Sequence, residues 1–118
     1  FEDCGLRGVY AGSSSFERSR FSRCDFGNTK LMHSDLSKSF FKDCLIHEAD
    51  FKGSSLRGAA VYSSQCSGAS FVEADLHQTN FFESDVLLAD FSGTNYADAR
   101  NIMPLKLQRL EDETRRVA

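Results

Sequence analysis

Ala49-Asp50-Phe51-Lys52-Gly53 decides the fold of this chain, because its order of residue types returns at Ala74-Asp75-Leu76-His77-Gln78 and at Ala89-Asp90-Phe91-Ser92-Gly93. Followed outward, the five-residue step runs from Phe1 to Tyr96. Eighteen of the twenty residues at that step are large and apolar, Ala11 and Cys66 being the exceptions. Two positions earlier, from Cys4 to Ala99, stand only Cys, Ser, Thr, Ala and one Val. Two filters held in phase over most of a chain make a repeat, and a repeat decides architecture before any other signal.

Residues two apart in an extended segment point to the same side. The small residue and the large centre therefore face inward together, with the residue between them facing out. The next two residues, such as Lys52 and Gly53, are mostly polar. Successive polar positions break the alternation, so the chain must turn there. Each pentapeptide is one short side and one corner, and a helical period of 3.6 cannot match a strict five. If twenty residues close a coil, Phe21, Phe41 and Phe81 share a column, as do Phe51, Phe71 and Phe91, and Leu36, Leu56 and Leu76. These residues and Phe26 are the predicted core centres. Cys4, Cys24 and Cys44 form a ladder at the small position. The columns favour twenty and leave fifteen open.

With the close variants Cys24-Asp25-Phe26, Ser34-Asp35-Leu36, Thr79-Asn80-Phe81, Ser84-Asp85-Val86 and Thr94-Asn95-Tyr96, these segments resemble the A-(D/N)-(L/F)-X-X signature of pentapeptide repeat proteins. The resemblance covers about residues 1–100. It implies an all-β solenoid, a right-handed quadrilateral β-helix of about five coils. Beyond Tyr96 the centres would be Asn101 and Lys106, so the β-helix is expected over residues 1–101, with a second unit over 102–118. Pro104 suits the first turn of an α-helix, and Leu107, Leu110 and Val117 follow helical spacing. A C-terminal capping α-helix is predicted over 104–117, with Ile102 and Met103 closing the last coil. Resemblance to the quinolone-resistance members implies a homodimer through this end as the alternative. Phe1 falls inside a repeat, which predicts coils or a cap before it.

The chain has 118 residues and 41% hydrophobic residues, enough for one folded unit. No apolar run approaches the ~18 residues that cross a membrane. The net charge of −3 argues against direct binding of nucleic acid, since such proteins are normally basic. His33, His47 and His77 fall on three different sides and face out, so no metal site is expected. No GxSxG, CxxC, HExxH or P-loop sequence occurs. Neither catalysis nor a cofactor is expected. Stacked cysteines stand slightly farther apart than the ~3.8 Å between Cβ atoms that a disulfide prefers, and buried Cys serves as a small apolar residue. Free thiols fit a reducing, cytoplasmic location. Asp35, Asp50, Asp75 and Asp90 sit mid-side and are read as corner supports rather than calcium ligands.

A rod with flat, rigid sides is expected to act as a non-catalytic protein-binding or scaffold module. The partner surface is predicted at Phe40, Tyr62 and Phe82, which are outward by register and contiguous. Leu87 and Leu88, with Leu45, extend it onto the adjoining side. The resemblance also implies an alternative, a DNA mimic that binds a type II topoisomerase (gyrase). Residues 61–100 hold one Arg against Glu73, Asp75, Glu83, Asp85, Asp90 and Asp98, a balance of −5, and these acids would be the mimic face. Against it, residues 1–60 carry a balance of +1. A third reading makes the chain the β-helix segment of a larger bacterial effector or enzyme.

Overall fold

The corners explain the repeat. A computed structural model describes residues 1–101, and in it the second residue after each centre, from Asp3 to Gly93, has φ between 50° and 73°. Few of these residues are glycine, and a left-handed conformation is unfavourable for the others. The aspartate before the centre offsets that cost. Its Oδ1 accepts the amide N–H two residues on, at 2.8 Å from Gly27 to Asp25, 2.9 Å from Ser37 to Asp35 and 3.0 Å from Lys52 to Asp50. This is an Asx turn, in which a carboxylate holds a bend that the backbone alone would not favour. At most corners the centre carbonyl also accepts the amide of the next small residue, as Phe26 accepts Thr29 at 3.1 Å. That bond and the positive φ make a turn of type II character.

Each side pairs in parallel with the side twenty residues later. The longest pairings form one three-stranded sheet: β1 (Arg20–Ser22), β2 (Phe40–Lys42) and β3 (Ala60–Tyr62), in the order β1-β2-β3. Single bridges such as Asp25↔Leu45, Lys30↔Asp50 and Asp35↔Ser55 build the other three sides. The coil is therefore twenty residues and four-sided, not fifteen.

Inside, the columns stack ring on ring. Phe21 and Phe41 lie 4.9 Å apart at 18°, and Phe71 lies 5.2 Å from both Phe51 and Phe91 at 5°. All ten predicted centres are buried, the least so being Phe91 at 6%. Each contributes about 1.5–3 kcal/mol by leaving water. The small position has its own chemistry. Ser54, Thr79 and Ser84 donate their hydroxyls, each at 2.6 Å, to the carbonyls of Leu31, Leu56 and Val61 one coil earlier. That position must be narrow, and either inert or able to donate backward. Cys44 donates its thiol weakly to the Phe21 carbonyl at 3.5 Å. All four cysteines are unbridged. Burial raises the Cys44 thiol to about 11 and pushes Cys66 up as well.

One repeat departs from expectation. Tyr96 continues the column of Leu36, Leu56 and Leu76 by sequence, but it is 40% exposed and begins a 3-10 turn, Tyr96–Asp98. The Asn95 side chain is the cause. Its Oδ1 takes the Leu76 amide at 2.6 Å, and its Nδ2 donates to Asp75 at 2.9 Å. With the side chain holding the ladder bond, the Asn95 carbonyl turns to accept the Asp98 amide at 2.9 Å, and the side curls. Pairing resumes at Arg100, bridged to Asn80. The predicted capping helix, the closure by Ile102 and Met103, and the C-terminal dimer contact lie outside the described residues. Among the described residues no helix is long and apolar enough to cross a membrane.

Candidate functional site

The outer face of the β1–β3 sheet carries two columns, because alternate residues of each strand point away from the core. Register sets Arg20 beside Phe40 and Phe40 beside Ala60 in one column, and Ser22 beside Lys42 and Lys42 beside Tyr62 in the other. Phe40 therefore meets Tyr62 on the diagonal, with ring centroids 5.3 Å apart at 74°. Tyr62 in turn meets Phe82, one coil on, at 5.8 Å and 71°. Both pairs are edge to face, an arrangement worth about 0.5–1.5 kcal/mol beyond burial alone. Packing against neighbours leaves Phe40 and Tyr62 half-buried, while Phe82 stays 46% exposed.

Two polar side chains hold this strip. The Arg20 guanidinium lies 5.1 Å from the centre of the Phe40 ring. Asn80 donates to the Tyr62 hydroxyl at 3.3 Å, and its Oδ1 accepts the Phe82 amide at 3.1 Å. Neither residue was selected from the sequence. The twenty-residue register alone, applied to Arg20 and Phe40, would have found the first.

The leucines are not part of the strip. Leu87 is half-buried and Leu88 57% exposed on the adjoining side, beyond the corner at Glu83. Leu45 is on that adjoining side, but Gln65 and Asp85 continue its column, so the leucines form no continuous surface.

The six acids proposed as one face are also dispersed. Asp85 continues the column of Leu45, Asp90 that of Asp50, and Asp75 that of Asp35. Glu73 and Glu83 occupy two different corners, and Asp98 sits in the 3-10 turn. The cause is the repeat itself: acids five or ten residues apart must point in different directions. Asp75 is further engaged by Asn95, by the His77 amide at 3.1 Å and by Arg57 at 3.2 Å. Burial raises its carboxyl, but these bonds outweigh burial and hold it below the usual range.

The histidines stay apart. His33 lies against Gly53, where an added Cβ would come within 2.5 Å of its Nδ1, and His77 Nδ1 is 3.8 Å from Asp98. Among the described residues no group of three His, Cys, Asp or Glu is placed to hold a metal.

The family model for pentapeptide repeats matches residues 1–37, 24–59 and 63–95, in eight copies. Among solved structures, the fold is similar to a pentapeptide repeat protein from the thylakoid lumen of Arabidopsis thaliana. The two are 21% identical with a TM-score of 0.59, over 77% of this chain and 67% of that one. Rfr23, a pentapeptide repeat protein of the cyanobacterium Cyanothece 51142, is 14% identical with a TM-score of 0.39, over 84% and 88%. QnrB1, a plasmid-mediated fluoroquinolone resistance protein, is 18% identical with a TM-score of 0.28, over 85% and 80%. Among curated proteins none matches.

Proposed function

This chain belongs to the pentapeptide repeat family, and on that premise we propose that it is a non-catalytic protein-binding module. Its working surface is the β1–β3 side of a right-handed quadrilateral rod. The observation that carries this reading is the strip Phe40–Tyr62–Phe82, three rings in mutual contact on an outward face. The fold itself does not need them there, since its core columns are complete without them. A contiguous exposed aromatic group is the usual mark of contact with another molecule. Catalysis has no support in the side chains of the described residues, because their titratable groups are spread around the rod and form no cleft of convergent acids and bases. Unbridged cysteines in the core fit a reducing compartment such as the cytoplasm.

The topoisomerase-binding reading rests on the −5 balance of residues 61–100. Dispersal of those acids over three sides and their corners gives it less support than the aromatic strip gives the first reading. A supercoiling assay with and without the protein tests it directly.

For the leading reading, a photo-reactive benzoylphenylalanine is placed at Lys42, on the strip's side, and separately at Lys30, in the Tyr10–Lys30–Asp50 column of the opposite side. In the cells that make the protein, a discrete cross-linked partner is expected from position 42 and not from position 30. Equal cross-linking from both, or none from position 42, would overturn the assignment of the surface.

A further inference from the structure

The strip does not end at Phe40. Beside it, toward the first coil, lies a groove of about 390 Å³ lined by Phe1, Glu2, Arg20, Ser22, Phe40 and Lys42. Ser22 makes the depression, as the short member of a column between Glu2 and Lys42. The volume falls within the range of roughly 300–1,000 Å³ found for specific ligand sites.

Arg20, beside the groove, differs from the other arginines of the first three coils. Arg7, Arg18, Arg23 and Arg57 each have a carboxylate within 4.0 Å. Among the described residues Arg20 has no such partner; Lys42, like the other described lysines, has none either. The one acid lining the groove, Glu2, is 3.9 Å from Arg23. A guanidinium held on a ring is oriented and partly stripped of water, and its edge N–H groups remain available for a carboxylate.

The backbone of this side is committed. The strands β1 to β3 are hydrogen-bonded to the coils before and after them, so a ligand cannot add as a further strand. It must be read through side chains. We propose that this groove anchors an extended peptide segment of a partner protein, carrying a carboxylate next to a bulky apolar side chain. The carboxylate meets Arg20 and Lys42, and the apolar side chain packs on Phe40 toward Tyr62. This rests on the binding-module reading above and specifies its ligand. A nucleic-acid strand fits less well: two cations are too few for a phosphate track, and Glu2 lines the same groove.

The probe is a blocked peptide, Gly-Glu-Phe-Leu-Glu-Phe-Gly, titrated into the full chain and followed by amide NMR shifts. Two controls carry Lys for both Glu, or Ser for the apolar residues. Shifts are expected at Ser22, Phe40 and Lys42, with affinity falling about tenfold in the Lys control and in Arg20→Gln, as loss of a charge-assisted contact predicts. Lys42→Gln gives a second exposed variant, and an unchanged melting curve confirms that each still folds. No shift at these amides up to millimolar peptide, or equal affinity for the Lys control, overturns the proposal. So does an oligo-dT strand that binds the same amides more tightly. Shifts confined to Tyr62 and Phe82 overturn the groove but leave the binding-module reading intact. Groove shifts without any partner cross-link from position 42 would separate the two the other way.

Discussion

Phe40 and Phe41 are neighbours in β2, and Phe81 and Phe82 are neighbours on the same side two coils on, yet one ring of each pair is buried and the other faces out. The two faces of this side use their rings differently. Inside, residues twenty apart stack nearly parallel, as in the 18° between Phe21 and Phe41. Outside, Phe40 and Tyr62 are one coil and two residues apart and meet at 74°. The inner column is imposed, because every coil must fill the same cross-section at the same height. The outer strip is imposed by nothing in the repeat. The signature constrains the small residue, the centre and the acid that holds the corner, and it leaves the other outward positions open. The core and the proposed binding strip therefore occupy alternate residues of the same side.

The contrast breaks most visibly at Phe41. Phe41→Ala removes a ring stacked within the core and should lower the unfolding free energy by about 3–5 kcal/mol, measured by urea denaturation. The double change Tyr62→Ser with Phe82→Ser removes two rings from the outer face. It should cost about 1–3 kcal/mol, the scale of two edge-to-face contacts and less for two rings than Phe41→Ala costs for one, while partner cross-linking at position 42 disappears. A loss as large as that of Phe41→Ala would mean that the outer rings are structural, and the distinction between the faces would fail.

Much of this is legible in the sequence. The period of five, the inward columns and the choice of Phe40, Tyr62 and Phe82 follow from parity and register alone. What escaped was whatever depends on a side chain replacing a backbone group. Thr94-Asn95-Tyr96 matches the signature as well as Ser34-Asp35-Leu36 does, but Asn95 takes the Leu76 amide on its side chain and the repeat curls. Asp has no N–H to add, whereas Asn can accept from one coil and donate to Asp75 at once. The six acids share no face for a simpler reason: the four-fold turn of the coil sends acids close in the chain to different sides. The unpaired state of Arg20 was equally hidden, since it depends on which carboxylates the neighbouring arginines engage.

A smaller effect tests the outward acids, which support the corners rather than the core. Bonds from Asn95, His77 and Arg57 depress the Asp75 carboxyl despite its burial. A group whose folded pKa lies below its unfolded value stabilises above the ordinary carboxylate range, and that contribution is lost as pH falls through the folded value. Asp75→Asn keeps an acceptor for the His77 amide and removes the charge. It should cost under about 1 kcal/mol at pH 7, as a partly exposed ion pair does. Its stability should also fall less than that of the unchanged protein as pH drops below about 4. Parallel acid profiles for the two would show that Asp75 acts by shape alone.

The smallest effect should be a gain. Leu88 holds a corner position at φ 62°, where the preceding coil has Gly68 at 69°, and it is 57% exposed. Leucine there carries the strain of a left-handed backbone, on the order of 1 kcal/mol or more for a residue other than glycine. Glycine removes that strain but adds entropy to the unfolded chain, which returns roughly 0.5–1 kcal/mol. The two nearly offset, and the partial exposure of Leu88 leaves little burial to lose, so Leu88→Gly should raise stability by a few tenths of a kcal/mol at most. Thermal melts of the two proteins at matched concentration would read the sign. A clear loss would show that Leu88 is held by a contact worth more than its backbone strain. The adjoining side would then carry an apolar contact of its own, beside the aromatic strip on the outer face of β1–β3.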